Sequence, residues 1–324
     1  MLFKINENNV VKLFKIYLNI SFIMALIAIF QEINYLIGFK YGYDFSFFIS
    51  KYRLDSTDFG LLRVSGIVSE PSQFAISMMP AVFISMVNLI TFKKLFINNF
   101  KNLIIIISVL LTFSSLAYIG FLLCLIMILF NLKNSKYVIT FMLLFVLLIS
   151  ISVNVPEIKE RFSGLFSVFT TGFGLENLNL SVFAFASNTL VAYQSFIKNP
   201  LFGSGIGSHP ISYEKYISKF VDINKEEIKE IIFINAADAN SLFLRIVSEL
   251  GLVGMGILFF FIFKFYISRK KDSFLWIISN AVLSLLLVKL IREGHYFYNG
   301  FFFFIWLYYF TYGKIGSDYL TVNK

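Results

Sequence analysis

Three clusters of charged and aromatic residues interrupt an otherwise apolar sequence. The first lies in Leu61–Ala75, LLRVSGIVSEPSQFA, which holds Arg63, a small turn at Ser65-Gly66, Glu70 and Pro71. Proline suits the first position of a helix, so Pro71 marks a helix start and Glu70 stands at its positive end. Charge at the mouth of an apolar helix is costly unless it is paired or used. Arg63 and Glu70 fit a surface ion pair that caps the helix. They also fit an anion-binding arginine beside a carboxylate that orients it or a sugar. The second cluster is Asp238, Arg245 and Glu249. Arg245 and Glu249 are spaced to share one helix face, either as an intrahelical salt bridge or as part of a polar chamber. The third is Arg292-Glu293-Gly294-His295-Tyr296. His295 there is a candidate acid/base or ligand, with a plain interfacial histidine as the competing reading. Tyr296, Tyr298 and Trp306 also fit an interfacial aromatic belt. His209, ahead of Pro210, is the weaker histidine candidate.

Other chemistries are excluded early. Cys124 is the single cysteine and there are 2 histidines, so neither a disulfide framework nor a Cys- or His-based metal site is expected. No metal and no cofactor is predicted. The Gly203-Ser204-Gly205-Ile206-Gly207 run has the glycines of a phosphate loop, and Gly251, Gly254 and Gly256 have those of a dinucleotide turn. Neither follows a strand, as those motifs require. The second reads as small residues for close helix packing. The first reads as a turn whose backbone N–H groups face an anion. The net charge of +9 points to basic loops between spans rather than to nucleic acid.

The elements that must position these residues are membrane helices. Hydrophobic residues make up 58% of the chain and charged ones 15%. Soluble domains have about 45–50% and about 25%. Spans need about 20 apolar residues, and eight are predicted, at about 16–37, 72–92, 98–113, 117–131, 137–153, 239–267, 274–291 and 300–312. The run 103–130 is split at Thr112-Phe113-Ser114-Ser115. The first span reads as a retained signal anchor. Leu180–Ile197 reads instead as an amphipathic helix lying on the membrane, because Ser181, Asn188 and Ser195 recur on one face. A charged helical piece is expected over Tyr213–Glu230.

If the N-terminus is cytoplasmic, the inside segments are 1–15, 93–101, 131–136, 268–273 and 313–324, and each is basic. That agreement predicts an N-in, C-in, all-α polytopic protein. It makes a single membrane domain over 1–324, with external loops at 38–70, 154–237 and 292–299. Nearly every candidate residue above then faces outward.

Three segments in order resemble a known family. They are Arg63–Ala75, then Asn199-Pro200-Leu201-Phe202-Gly203-Ser204-Gly205-Ile206-Gly207, then Asp238-Ala239-Asn240-Ser241-Leu242 running on through Glu249 to Gly254. Together with Arg292–Tyr296 ahead of an aromatic last span, they resemble the O-antigen and capsular polysaccharide polymerases (Wzy-type) and the related O-antigen ligases. The resemblance covers roughly residues 20–312. It implies a GT-C-like membrane glycosyltransferase in the bacterial inner membrane. Such an enzyme moves a glycan from undecaprenyl pyrophosphate to a sugar hydroxyl of another lipid-linked repeat unit, without a metal. A chain-length regulator and a flippase would be its companions. By motif position Arg63 matches an arginine that holds the donor pyrophosphate, and Arg161 in Glu160-Arg161-Phe162-Ser163-Gly164 is a candidate for a second.

The remaining assignments follow from that resemblance. Glu70, Arg245, Arg292 and Tyr296 join Arg63 and Arg161 as candidate substrate ligands. Asp238, Glu249 and His295 are the candidate catalytic groups, since the acceptor hydroxyl needs a base or an orienting acceptor. Ligases typically carry a histidine ahead of the asparagine that opens the late helix; here that position is Ala239. The departure favours repeat-unit polymerisation over ligase-type transfer to a lipid or protein acceptor. Members usually have more spans before the arginine motif, so a short or truncated form is expected. A flippase or other transporter is the reading of another class. It would call for internal repeats and midplane charges, whereas the charges here fall at helix ends.

Overall fold

The computed structural model describes residues 9–57, 60–132, 179–221, 225–298 and 300–315, with single positions at 143, 146, 150 and 163. The expected fifth span at 137–153, the loop at 154–178 and Arg161 lie outside the described residues. The rest is all-helical: α1 Val10–Leu36, α2 Pro71–Thr91, α3 Asn99–Leu110, α4 Ser115–Leu132, α5 Leu180–Lys198, α6 His209–Tyr216, α7 Glu226–Lys229, α8 Leu242–Lys264, α9 Leu275–Arg292 and α10 Phe301–Tyr312. Six of these, α1, α2, α4, α5, α8 and α9, are long and apolar enough to cross a membrane, and α3 and α10 are shorter apolar helices. The chain is a membrane protein. On α1, Ile16, Ile20, Ile23, Phe30 and Ile33 are all exposed, the outward apolar stripe that lipid, not water, would cover.

The chain divides into two compact units. One comprises Met1–Ser152, Phe265–Val288 and Phe303–Lys324; the other comprises Val153–Lys264 and Lys289–Phe302.

In the first unit α2 is buried along most of its length. Pro71 occupies its first turn and Glu70 caps it in an extended conformation (φ −140°, ψ 145°). A turn through Thr112-Phe113-Ser114 separates α3 from α4, with Phe113 at φ 44°. The expected split of the 103–130 run is therefore present. Asn88 ties the loop after α2 in place: its side chain accepts from Leu95 N at 2.9 Å and donates to Leu95 O at 3.0 Å.

In the second unit, α5 departs from expectation. Asn188 and Ser195 are buried, not wet. The polar stripe on α5 turns inward toward polar partners on α6 and α8, and the helix itself has the length and hydropathy of a span. A buried polar stripe is stable because each group on it finds a partner. The charged segment after Pro210 is shorter than expected. It is α6, a 3-10 turn at Ile217–Lys219, and α7.

α8 is not a straight rod. Gly251 sits at φ 60°, ψ −148°, well outside helical values. The broken helix exchanges backbone hydrogen bonds with the loop after α5. Leu252 N donates to Pro200 O (2.8 Å) and Val253 N to Leu201 O (3.0 Å), while Ser204 N and Gly205 N donate to Ser248 O and Glu249 O (2.9 Å each). A Cβ at Gly251 would lie 2.5 Å from Pro200 O. Gly251 is thus a backbone break. The reading of Gly251, Gly254 and Gly256 as a helix-packing stripe does not hold, since Gly256 faces open space.

Candidate functional site

The second unit builds a polar cluster around Glu249, which is fully buried. A buried carboxylate must be paired and hydrogen-bonded, and this one takes four donors. Oε1 accepts from Arg245 Nε at 3.0 Å and from His209 N at 3.2 Å; Oε2 accepts from Gly207 N and the Tyr296 hydroxyl, both at 2.9 Å. The Gly203–Gly207 turn does face an anion, and that anion is Glu249. Gly203 fits because its Cα lies against the Glu249 backbone, where a Cβ would come within 2.3 Å.

Arg245 is clamped from three directions. Besides Glu249, its NH1 donates to Gly294 O at 3.1 Å, and its guanidinium lies 4.8 Å from the centre of the Tyr296 ring. Burial and the neighbouring Glu249 charge both push the Tyr296 hydroxyl up from its usual range, so it stays protonated and donates to the carboxylate. Tyr296 is therefore tied inward by its hydroxyl.

His209 belongs to the same cluster. Its Nε2 lies 3.0 Å from Asn188 Oδ1 and its Nδ1 lies 2.9 Å from Ser248 Oγ. Asn188 Nδ2 is committed to Ala184 O at 2.7 Å, so Asn188 Oδ1 faces the imidazole and Nε2 carries the proton. Burial, reinforced by the Arg245 charge and only partly offset by Glu249, pulls the imidazole down to about 4. At neutral pH it is uncharged. His209 is more deeply integrated than His295, which is exposed.

A second group of residues stands just before α8. Asn240 N donates to Asp238 Oδ1 at 3.0 Å, and Asn240 Oδ1 accepts from Asn235 Nδ2 at 2.8 Å and from Arg292 NH1. Ala239 and Asn240 adopt left-handed backbone at φ 59° and 56°. Gly294 packs directly on Asp238, where a Cβ would overlap its carbonyl.

Arg63 and Glu70 belong to the first unit, and they are not each other's partners. Arg63 NH1 lies 3.5 Å from Asp55 Oδ2, while Glu70 Oε1 lies 3.6 Å from Arg53 Nε. The reason is the backbone. Ser56 bridges to Leu62 and Arg63 N donates to Asp55 O at 2.9 Å, which sets Asp55 opposite Arg63. The loop is held from behind by two residues that the sequence reading passed over. Gln31 Oε1 accepts from Ser65 N (3.0 Å) and Gly66 N (2.9 Å), and Gln31 Nε2 donates to Tyr43 O (2.9 Å). The Glu32 carboxylate accepts from Leu62 N at 3.2 Å. Both are buried. Their signal was an amide and a carboxylate side by side in an apolar helix, which by default marks a use.

Among the described residues no group of three or more His, Cys, Asp or Glu is placed to hold a metal ion. What the arrangement offers is fixed donors: guanidiniums and an amide.

Residues 102–260, just under half of the chain, match the family model Wzy_C, described as O-Antigen ligase. The chain carries a Wzy_C O-antigen ligase domain. No curated protein and no solved structure matches it. The Wzy_C family consists of membrane glycosyltransferases of the ligase and polymerase type. The matched stretch contains His209, Asp238, Asn240, Arg245 and Glu249, and it stops short of Arg63 on one side and of Arg292 and Tyr296 on the other.

Proposed function

We propose that this Wzy_C protein polymerises polysaccharide repeat units carried on undecaprenyl pyrophosphate, at the external face of the bacterial inner membrane. The observation that carries the reading is Arg63. Its side chain is 14% exposed, and its ion pair to half-exposed Asp55 is long at 3.5 Å. Its Nε is buried and has no acceptor among the described residues. A buried guanidinium with an unused donor calls for a further anionic oxygen. The leaving pyrophosphate of a lipid-linked glycan supplies that chemistry, and a fixed guanidinium stabilises charge as it develops there.

In this reading the Glu249 cluster is support. Both Glu249 oxygens are already filled by donors, so Glu249 is a positioning residue that holds Arg245 and Tyr296 rigid. Asp238, half-buried and bonded through one oxygen to Asn240 N, is the better placed of the carboxylates to orient an acceptor hydroxyl. Arg161 remains a candidate second phosphate ligand by motif position.

The test is Arg63→Ala in the native host. Long-chain polysaccharide should vanish while single lipid-linked repeats are still made; normal chain lengths would sink the assignment. Ligase-type transfer is the second reading, favoured by the description of the matching family. A null strain separates them: piled-up single repeats indicate a polymerase, piled-up lipid-linked polymer a ligase.

A further inference from the structure

Asn240 carries an unexplained donor. The residue is 2% exposed, and its Nδ2 is buried with no hydrogen-bond partner among the described residues. The amide cannot be turned over to relieve this. Its Oδ1 receives a hydrogen bond from Arg292 NH1, which cannot accept in return, and one from Asn235 Nδ2 at 2.8 Å. The guanidinium fixes which end of the amide is which. An orphaned buried donor is costly if it stays unmet. The backbone adds a second, independent sign. Ala239 and Asn240 both sit at positive φ, 59° and 56°, and an alanine there is strained. Strain at Ala239 and an unmet donor at the next residue coincide at one point, and together they mark a place built for a ligand.

We infer that Asn240 is a binding residue for the acceptor sugar, its Nδ2–H donating to a sugar oxygen while the adjacent Asp238 carboxylate accepts from the same hydroxyl. This rests on the glycan-transfer reading and extends it to a residue and a ligand. The chemistry selects a hydroxyl over an anion. A hydroxyl both accepts and donates, which suits an amide N–H beside a carboxylate. The carboxylate is joined to Asn240 N at 3.0 Å, and it would repel a phosphate oxygen at the same place. Arg292 acts here as the clamp that holds the amide oxygen, leaving the amide nitrogen for the sugar.

Asn240→Asp isolates the claim. It keeps the oxygen that accepts from Asn235 and Arg292 and replaces the orphaned N–H₂ with a second acceptor oxygen, adding a negative charge for which Arg292 is the neighbouring cation. The assay uses full-length protein in membranes, with lipid-linked repeat unit from the host as donor. The probe is the lipid-free repeat-unit oligosaccharide, which has no pyrophosphate and so reports on the acceptor side alone. The expected result is at least a roughly tenfold loss of apparent affinity for the probe. Unchanged probe affinity in an active enzyme overturns the inference and leaves the polymerase reading standing, because the amide then meets only water. A lowered melting temperature with kcat reduced and probe affinity intact also overturns it, as a purely structural role. Wild-type protein that transfers no glycan overturns the polymerase reading and the inference together.

Discussion

The Arg63 loop and the Glu249 cluster solve opposite problems with the same residue types. In the first, Gln31 and Glu32 grip the backbone of residues 62–66 and leave the Arg63 side chain with one long ion pair. In the second, the side chains grip one another: Glu249 is filled by Arg245, Tyr296, Gly207 N and His209 N. A loop held through its backbone keeps its charge available for a ligand. A cluster held through its charges makes a rigid frame and has little capacity left. Positions of charge alone do not distinguish the two; the partners do.

The contrast can be broken at its strong end first. Glu249→Ala should cost about 3–5 kcal/mol, because it leaves Arg245 buried and unpaired. Thermal unfolding in detergent would read this as a large loss of melting temperature, and a stable variant would show that the cluster is not the frame described. Arg63→Ala should do the reverse. Transfer should fall by about 100-fold or more, yet stability should shift by less than about 1 kcal/mol, since the Asp55 pair is long and half-exposed. Equal losses of stability in the two variants would erase the distinction.

Gln31→Ala lies between them. It strands the Ser65 and Gly66 N–H groups, at about 1–3 kcal/mol for each donor left unmet. Activity should fall further than stability, because the loop that presents Arg63 loosens. Gln31→Glu keeps the acceptor and should recover part of the activity, which a loss of general stability would not allow.

The cluster also predicts a pH response. His209 is held neutral, with its folded pKa at about 4 against the ordinary value of 6.5. Between those values the unfolded chain binds a proton that the folded protein does not, so stability falls as pH drops from about 6.5 toward 4 and levels off below. Chemical unfolding across that window should show the slope, and His209→Gln should flatten it. The smallest effect belongs to Glu70→Ala. Its pair with Arg53 is long and Arg53 is 70% exposed, so stability should move by less than about 1 kcal/mol. A large loss there would mean that Glu70 does more than meet Arg53 at the helix start.

Much of this architecture was readable before any coordinates. Hydropathy located α1, α2, α4, α8 and α9, because a helix that meets lipid must be apolar over its whole exposed length. Thr112-Phe113-Ser114 announced a turn. Arg245 and Glu249 were legible as a pair because their spacing and their contact lie on one helix. The misreadings share a cause. Arg63 and Glu70 were matched by proximity in sequence, but a bridge between Ser56 and Leu62 gave each a different partner. The α5 polar stripe was assigned to water, though periodicity reports only that one face differs and not what covers it. The Gly251 run was read as packing, although a helix break is invisible until the strand of backbone that pairs with it is known.

Taken alone, the sequence determined the elements: membrane helices, their caps, the break between α3 and α4, and an ordered set of motifs, two of which lie within the stretch that matches Wzy_C. These are local properties, governed by the hydropathy and backbone preference of neighbouring residues. Only the tertiary structure decided the partners. Gln31 reaches Ser65 across 34 residues, His209 reaches Asn188 across 21 and Glu249 across 40, and Asn240 is left with a donor that nothing in the described chain takes up. Which buried charges are satisfied and which stay available depends on where the chain crosses itself, and no local pattern encodes that.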